Sequence, residues 1–185
     1  FATPGSYVKI PEISVPEAPA VVTPDVSVQA VTRCVAGKGV LTVTARDGLL
    51  WLDFPANPPY AKDVPDGLVA ALGGEPVWAG FSDVNDYFVV YPDEATVRAL
   101  APDLAEVARC TVRGVTVTAP AAPGQPYDFV SRLFAPAIGI PEDPVTGSIH
   151  ATLVPYWATK LRKGSLTARQ LSARELLEVI LDRIQ

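Results

Sequence analysis

Several patterns that mark particular classes of protein are missing from this sequence. No apolar run approaches the roughly 20 residues of a membrane-spanning helix, and no basic stretch followed by an apolar core opens the chain as in a signal peptide. The net charge is −5 and no basic patch occurs, so that neither a membrane nor a nucleic acid is expected as a partner. The sequence predicts a cytoplasmic protein.

Histidine, cysteine and methionine are also scarce. His150 is the single histidine, and without a second histidine or a nearby cysteine no metal site is expected. The two cysteines, Cys34 and Cys110, lie far apart in apolar surroundings, which favours buried free thiols over a disulfide framework. The chain starts at Phe1 and contains no methionine, so we expect it to be part of a longer gene product.

The residues that are present suit a globular α+β protein. Apolar residues make up 49% of the chain and charged residues 19%, a balance that allows a substantial core and argues against disorder. Five prolines fall within residues 1–30. Because proline removes a ladder donor and breaks helices, this region is expected to form extended edge segments or a linker.

From Gly39 onward the patterns indicate strands around one buried helix. Alternating "VLTVTA" and "LLWLDF" around Asp47-Gly48 predict a β-hairpin. Further strands are predicted in "PVWAGFS", "DYFVVYP", "GVTVTAP", "YDFVSRLFAP", "SLTARQLS" and "LLEVILDR". A helix from Gly147 or Ser148 to Leu161 is apolar on every face and should be buried on every face. The simplest architecture is a sheet wrapped around this central helix.

The residues best suited to binding or catalysis lie at the start of that helix, in "GIPEDPVTGSIHATLVPYW". A helix that begins near Gly147 presents unpaired N–H groups and a partial positive charge, which favour a carboxylate ligand. Gly147 lets a ligand approach the backbone closely, and Ser148 adds a hydroxyl. Asp143 is held extended by Pro144. Beside such a ligand it can take or give a proton, or orient another group that does so.

Simpler interpretations of these residues stay open. Asp143 or Thr146 can merely cap the helix, which stabilises by about 1 kcal/mol. His150 is expected to be a satisfied core residue. Pro155, in mid-helix, should kink the helix or leave one carbonyl unpaired. Arg132 is an alternative contact for an anion, although a strand arginine usually faces outward.

The sequence resembles a known family over its most distinctive stretch. "YDFVSRLFAPAIGIPEDPVTGSIHATLVPYWATKL" is similar to the signature of the PhzF-like (phenazine-biosynthesis-like) isomerase family. That signature is an F-x-S-R-x-F-x-P strand, then G-x-x-E-D-P-x-T-G-S-A-H and a helix that contains P-Y-W. With weaker similarity on both sides, the resemblance covers residues 35–175.

The resemblance implies a fold, a chemistry and a site. The diaminopimelate-epimerase-like fold has two similar domains, each a sheet wrapped around a central helix, with the active site between them. The family moves a proton on a small carboxylate substrate without metal or cofactor, commonly as a homodimer. By position, Asp143 matches the pocket aspartate of the family and is the expected catalytic residue, while Gly147 and Ser148 match the residues that contact substrate.

Two motifs of the family's first domain are missing. One is Ser-Glu-Thr, whose glutamate shuttles the proton, and the other is Gly-His-Ala-Thr at the first central helix. Residues 1–38 are therefore expected to be a Pro-rich segment with a remnant of an incomplete first domain, and residues 39–185 a largely present second domain. The expected function is an isomerase or epimerase-like enzyme that is inactive as this chain alone if its general base is missing. The alternative is a non-catalytic small-molecule binding or interaction domain of the same fold.

Overall fold

A computed structural model of the chain describes residues 6–10, 29–33, 40–46, 49–172 and 178–182. Side-chain burial and contacts are described for residues 54–172. The expectations for Cys34 and for the Asp47-Gly48 turn fall outside the described residues.

The described residues form strands and helices in mixed order. The strands are β1 (Ser6–Ile10), β2 (Gln29–Arg33), β3 (Val40–Arg46), β4 (Leu49–Phe54), β5 (Tyr60–Ala61), β6 (Trp78–Ser82), β7 (Asp86–Val90), β8 (Gly114–Pro120), β9 (Phe129–Ala135), β10 (Ile140–Asp143), β11 (Leu166–Gln170) and β12 (Glu178–Asp182). The helices are α1 (Asp66–Leu72), α2 (Glu94–Ala99), α3 (Leu104–Cys110) and α4 (His150–Leu161), and a short 3₁₀ helix spans Pro136–Ile138. None of these helices, in the ranges that the structure describes, combines the length and the apolar character needed to cross a bilayer.

The strands pair into one sheet in the order β2-β3-β4-β1-β12-β11-β9-β8-β7-β6-β5, with β10 added beside β9. The pairs β7·β8 and β9·β11 are parallel and the others are antiparallel. The predicted hairpin is confirmed, because Arg46 of β3 pairs with Leu49 of β4. Both closing strands are also confirmed, since β11 and β12 pair antiparallel.

Strand β1 differs from the expectation for the Pro-rich segment. It pairs with β4 on one side and β12 on the other, so the expectation of edge segments alone is wrong for this strand. It occupies the proline-free stretch between Pro4 and Pro11, where every residue keeps its N–H and can donate to a neighbouring strand. The division of the chain at residue 38 stays a prediction.

Helix α4 lies in the centre of the fold, as its all-round apolar pattern predicts. It buries His150, Ala151, Thr152, Leu153, Val154 and Trp157. Trp157 stacks on Phe129 of β9 with ring centroids 5.7 Å apart, and its indole N–H donates to Thr118 of β8 at 2.9 Å. The α+β architecture of a sheet wrapped around a central helix, the diaminopimelate-epimerase-like fold, is confirmed.

The other face of the sheet is covered by α1, α2 and α3. Their buried residues Leu68, Val97 and Val107 pack in one cluster with Val89 of β7 and Val117 of β8. Because β7, β8 and β9 are buried on both faces, they form a rigid platform under α4.

Pro155 removes one hydrogen bond from the middle of α4, because proline has no N–H to donate to the Ala151 carbonyl. That carbonyl is nevertheless paired. The backbone N–H of Asn57 donates to it at 2.9 Å, from the segment that follows β4. The carbonyl that the sequence predicts to be left unpaired within the helix is therefore satisfied by a tertiary contact.

Candidate active site

The three predicted site residues lie in one short turn, residues 143–149, which we call the helix-start turn. It connects β10 to α4. Strand β10 pairs back on β9, with Asp143 opposite Leu133. The chain then leaves the sheet at Pro144, and α4 begins at His150, two or three residues after the predicted start at Gly147 or Ser148. Residues 147–149 form a tighter turn, in which their carbonyls accept from the N–H groups three positions further on. The structure thus brings Asp143, Gly147 and Ser148 together at the amino end of a central helix.

Gln170 holds this turn at two points. Its side-chain N–H group donates to the Asp143 carbonyl at 2.8 Å, and its side-chain oxygen accepts from the Thr146 N–H at 2.9 Å. Gln170 is 2% exposed. Gln170 was not predicted from the sequence, yet a signal exists. Gln170 continues the inward face of β11 after Leu166 and Ala168, and a polar side chain at a buried strand position needs hydrogen-bond partners.

Neither Asp143 nor Thr146 caps α4, so the capping alternative is wrong. The N-cap position is Ile149, and no side chain caps the helix there. The Asp143 carboxylate instead accepts from the N–H of Val145 at 3.1 Å, inside the turn. The hydroxyl of Thr146 accepts from Gln170 at 3.2 Å.

The amino end of α4 keeps a group of backbone donors. The N–H groups of Gly147, Ser148 and Ile149 donate to no acceptor within residues 54–172. Gly147 and Ser148 are half-buried. A Cβ added to Gly147 would stand 3.5 Å from the ring of Phe54, so that Phe54 flanks the turn. These donors lie where the partial positive charge of the helix is greatest.

An ion pair that the sequence analysis missed lies beside Ser148. One guanidinium nitrogen of Arg113, Nη1, donates to Asp86 Oδ2, and the other, Nη2, donates to Ser148 Oγ at 3.3 Å. Asp86 starts β7 and pairs with Gly114, which starts the parallel strand β8. Charged residues at the starts of two neighbouring buried strands are the signal that could have suggested this pair.

Burial dominates the electrostatics of Asp86. The residue is 2% exposed, and burial raises the pKa of its carboxyl to about 6 although Arg113 acts in the opposite direction. Its oxygen Oδ1 has no hydrogen-bond partner within residues 54–172. The Arg113 side chain is 27% exposed. The pair therefore sits at the border between the protein interior and the surface near Ser148.

His150 is a buried neutral residue. Its Nδ1 lies 2.9 Å from the Thr146 carbonyl. A carbonyl can only accept, so Nδ1 carries the proton and Nε2 carries a lone pair. Burial lowers the pKa of His150 to about 4. The expected core position is confirmed, but Nε2 has no partner within residues 54–172, so the residue is only half satisfied.

Arg132 is already occupied, and the alternative that it contacts an anion is wrong. It binds Glu142 through two nitrogens at 2.7 and 3.0 Å. Its Nη1 donates to the carbonyls of Val97 and Leu100 at 3.0 and 2.8 Å. Arg132 thus fixes the residue that precedes Asp143 and satisfies carbonyls at the end of α2.

Asp86 and His150 should make the free energy of unfolding depend on pH in opposite directions. Between about pH 4 and 6 the unfolded chain releases the Asp86 proton that the folded protein keeps, so stability falls as pH rises. Between about pH 4 and 6.5 the unfolded chain binds a proton on His150 that the folded protein does not, so stability rises with pH. Each effect amounts to about 3 kcal/mol over its range.

Urea unfolding of the wild type, Asp86→Asn and His150→Asn at several pH values between 4 and 6.5 measures both effects. Asp86→Asn should gain stability relative to the wild type as pH rises, and His150→Asn should lose it. Asp63→Asn, at an exposed carboxylate, is the control. Parallel profiles for all four proteins would contradict the prediction.

Comparisons with known proteins show the family of the chain. Residues 35–177 match the family model for phenazine biosynthesis-like proteins, PhzC-PhzF. The chain is 46% identical over 145 residues to an uncharacterized isomerase of Pseudomonas aeruginosa, covering 78% of this chain and 54% of that protein. A second uncharacterized isomerase of the same bacterium is 48% identical over 140 residues, with coverage of 76% and 52%.

A solved structure supports the same relationship. The crystal structure of a PhzF-family phenazine biosynthesis protein from Enterococcus faecalis matches with a TM-score of 0.67 at 36% identity, covering 80% of this chain and 58% of that one. The fold is of the diaminopimelate-epimerase-like class, and the two bacterial relatives are named isomerases. The chain belongs to the phenazine biosynthesis-like (PhzF) family. It spans about half the length of the curated relatives it matches.

Proposed function

We propose that the intact protein is an isomerase that moves a proton on a small carboxylate metabolite without metal or cofactor, and that the helix-start turn is its carboxylate site. One observation carries the proposal. The N–H groups of Gly147, Ser148 and Ile149 donate to no acceptor within residues 54–172, at the positive end of a 12-residue helix. Such a set of donors suits a carboxylate, which only accepts hydrogen bonds.

Asp143 is the proposed proton-transfer group. It is half-buried in the same turn. Its oxygen Oδ1 accepts from Val145, which holds the side chain in one orientation. Its other oxygen is left to exchange a proton with a substrate carbon. One carboxylate serves one side of a proton transfer, and the resemblance implies a glutamate of a first domain for the other side.

Two measurements test the proposal. The intact protein, incubated in heavy water with a panel of small chiral and unsaturated carboxylic acids, should incorporate deuterium next to the carboxylate of at least one of them, as read by mass spectrometry. Crystals soaked with malonate should show a carboxylate on the N–H groups of residues 147–149. Malonate bound only elsewhere, together with no exchange in the whole panel, would count against both site and function.

The alternative is a non-catalytic small-molecule binding or interaction domain of the same fold. A helix start that presents backbone N–H donors is sufficient to bind a carboxylate and does not by itself transfer a proton. The same experiments separate the two, because a binding domain would take up malonate at the helix-start turn without exchanging deuterium. A homodimer and a cytoplasmic location, both expected from the sequence, stay predictions; light scattering on the purified protein measures the first.

A further inference from the structure

The Ser148 hydroxyl is oriented by a neighbouring arginine. A hydroxyl can donate once and accept twice. Arg113 can only donate, so in its 3.3 Å contact the Ser148 oxygen is the acceptor. The Ser148 O–H itself donates to no acceptor within residues 54–172. Its proton is therefore directed away from the guanidinium and is available to a ligand.

Arg113 is in turn held from the opposite side. Its Nη1 is bound to the buried carboxylate of Asp86, on a strand of the rigid platform under α4. With one nitrogen on Asp86 and the other toward Ser148, the planar guanidinium has little freedom to turn. The guanidinium fills one acceptor position of the Ser148 oxygen and repels the hydroxyl proton, so that the O–H points to the side away from Arg113.

The groups around the amino end of α4 consequently share one character. The three backbone N–H groups of residues 147–149, the Ser148 O–H and the guanidinium of Arg113 are all donors. A carboxylate offers only acceptors and satisfies them. A carboxamide carries an NH₂ group in place of one carboxylate oxygen. Because that group is itself a donor, it would lie opposite other donors without forming a hydrogen bond.

We infer that Arg113, anchored by Asp86, is a positioning residue that directs the Ser148 O–H away from itself, where it can donate to a ligand, and that the helix-start turn thereby selects a carboxylate over the corresponding carboxamide. This inference rests on the proposed function, because it takes the helix-start turn to be the carboxylate site of the substrate. Arg113 acts through Ser148 and is not assigned a part in the proton transfer.

The test is the ratio of the affinities for malonate and malonamide, measured by titration of the backbone amide NMR signals of Gly147 and Ser148. The wild type should prefer malonate. Arg113→Met should reduce this preference by roughly 10-fold, as expected for the loss of a hydrogen bond that involves a charged group. Arg98→Met is the matched control, since Arg98 also pairs with a buried carboxylate, that of Glu94, and should leave the preference unchanged.

A double-mutant cycle with Ser148→Ala separates positioning from simple loss of charge. If Arg113 acts through the hydroxyl, Arg113→Met should change the preference little once Ser148 is alanine. An equal drop in both backgrounds would overturn the inference and assign Arg113 a direct electrostatic effect. Should Arg113→Met not fold, Arg113→Lys, which retains the charge but not the two-sided geometry, replaces it in the same cycle.

The outcomes for the inference and for the proposed function differ. If malonate leaves the signals of residues 147–149 of the wild type unmoved, the carboxylate site itself fails. If malonate binds there and Arg113→Met is as selective as the wild type, the site stands and the role of Arg113 is refuted.

Discussion

The Asp143→Asn variant should fold like the wild type and lose at least about 100-fold in the rate of deuterium exchange into the substrate. The fold should survive because the oxygen of an asparagine side chain can accept from Val145 as the carboxylate does. The bond from Gln170 goes to the main-chain carbonyl and is unaffected by the change. Proton transfer should fail because a carboxamide does not take up a proton near neutral pH.

The measurement is isotope exchange in heavy water with whichever acid the wild type labels, followed over time by mass spectrometry. Asp103→Asn is the matched control. Asp103 caps α3 through the N–H groups of Ala105 and Glu106 at 3.0 and 3.1 Å, and asparagine caps equally well, so exchange should be unchanged. Wild-type exchange by Asp143→Asn would remove Asp143 from the mechanism, and a large loss of stability would assign it a structural role instead.

Arg132→Met should lower the free energy of unfolding by about 3 kcal/mol or more. The Arg132 and Glu142 side chains are only 13% and 20% exposed, so the change leaves a largely buried carboxylate without its partner. It also removes the donor to the carbonyls of Val97 and Leu100. Removing one partner of a buried ion pair lowers the free energy of unfolding because the remaining charge stays desolvated.

Urea unfolding at neutral pH measures this loss. The double variant Arg132→Met, Glu142→Gln should recover part of it, because glutamine leaves no charge behind. Arg98→Met is the comparison and should cost less: the Arg98 side chain is 43% exposed, and the buried Glu94 carboxylate keeps hydrogen bonds from the Ala122 N–H and the Tyr127 hydroxyl, both at 2.9 Å. Equal losses of stability for Arg98→Met and Arg132→Met would contradict the prediction, because the greater burial of the Arg132–Glu142 pair would then not increase its contribution.

Local patterns in the sequence were enough for most of the fold. The β3–β4 hairpin follows from alternation around an Asp-Gly turn, and the central position of α4 follows from apolar residues on all its faces. The helix-start turn was found for the same reason, because Gly147 and Ser148 mark the start of a buried helix over a few consecutive positions. These features depend on neighbours in the chain, which a sequence displays directly.

The features that were missed depend on residues far apart in the chain. Gln170 meets Thr146 across 24 positions, and Arg113 meets Asp86 across 27. No local pattern pairs such residues, since their contact is decided by the order of strands in the sheet. The position of β1 was missed for a related reason. A proline restricts only the backbone next to it. Pro4 and Pro11 therefore do not indicate that the residues between them pair with β4 and β12.

The proline in α4 has a mechanical consequence. A helix buried only by apolar contacts can shift along its axis at small energetic cost, because dispersion forces have no preferred direction. The Ala151 carbonyl, left without a partner in the helix by Pro155, accepts from the N–H of Asn57 and adds a directional bond to the one between Trp157 and Thr118. A shift of α4 along its axis would break these bonds. They therefore fix the position of α4 relative to the surrounding strands, and with it the position at which Gly147 can contact a ligand.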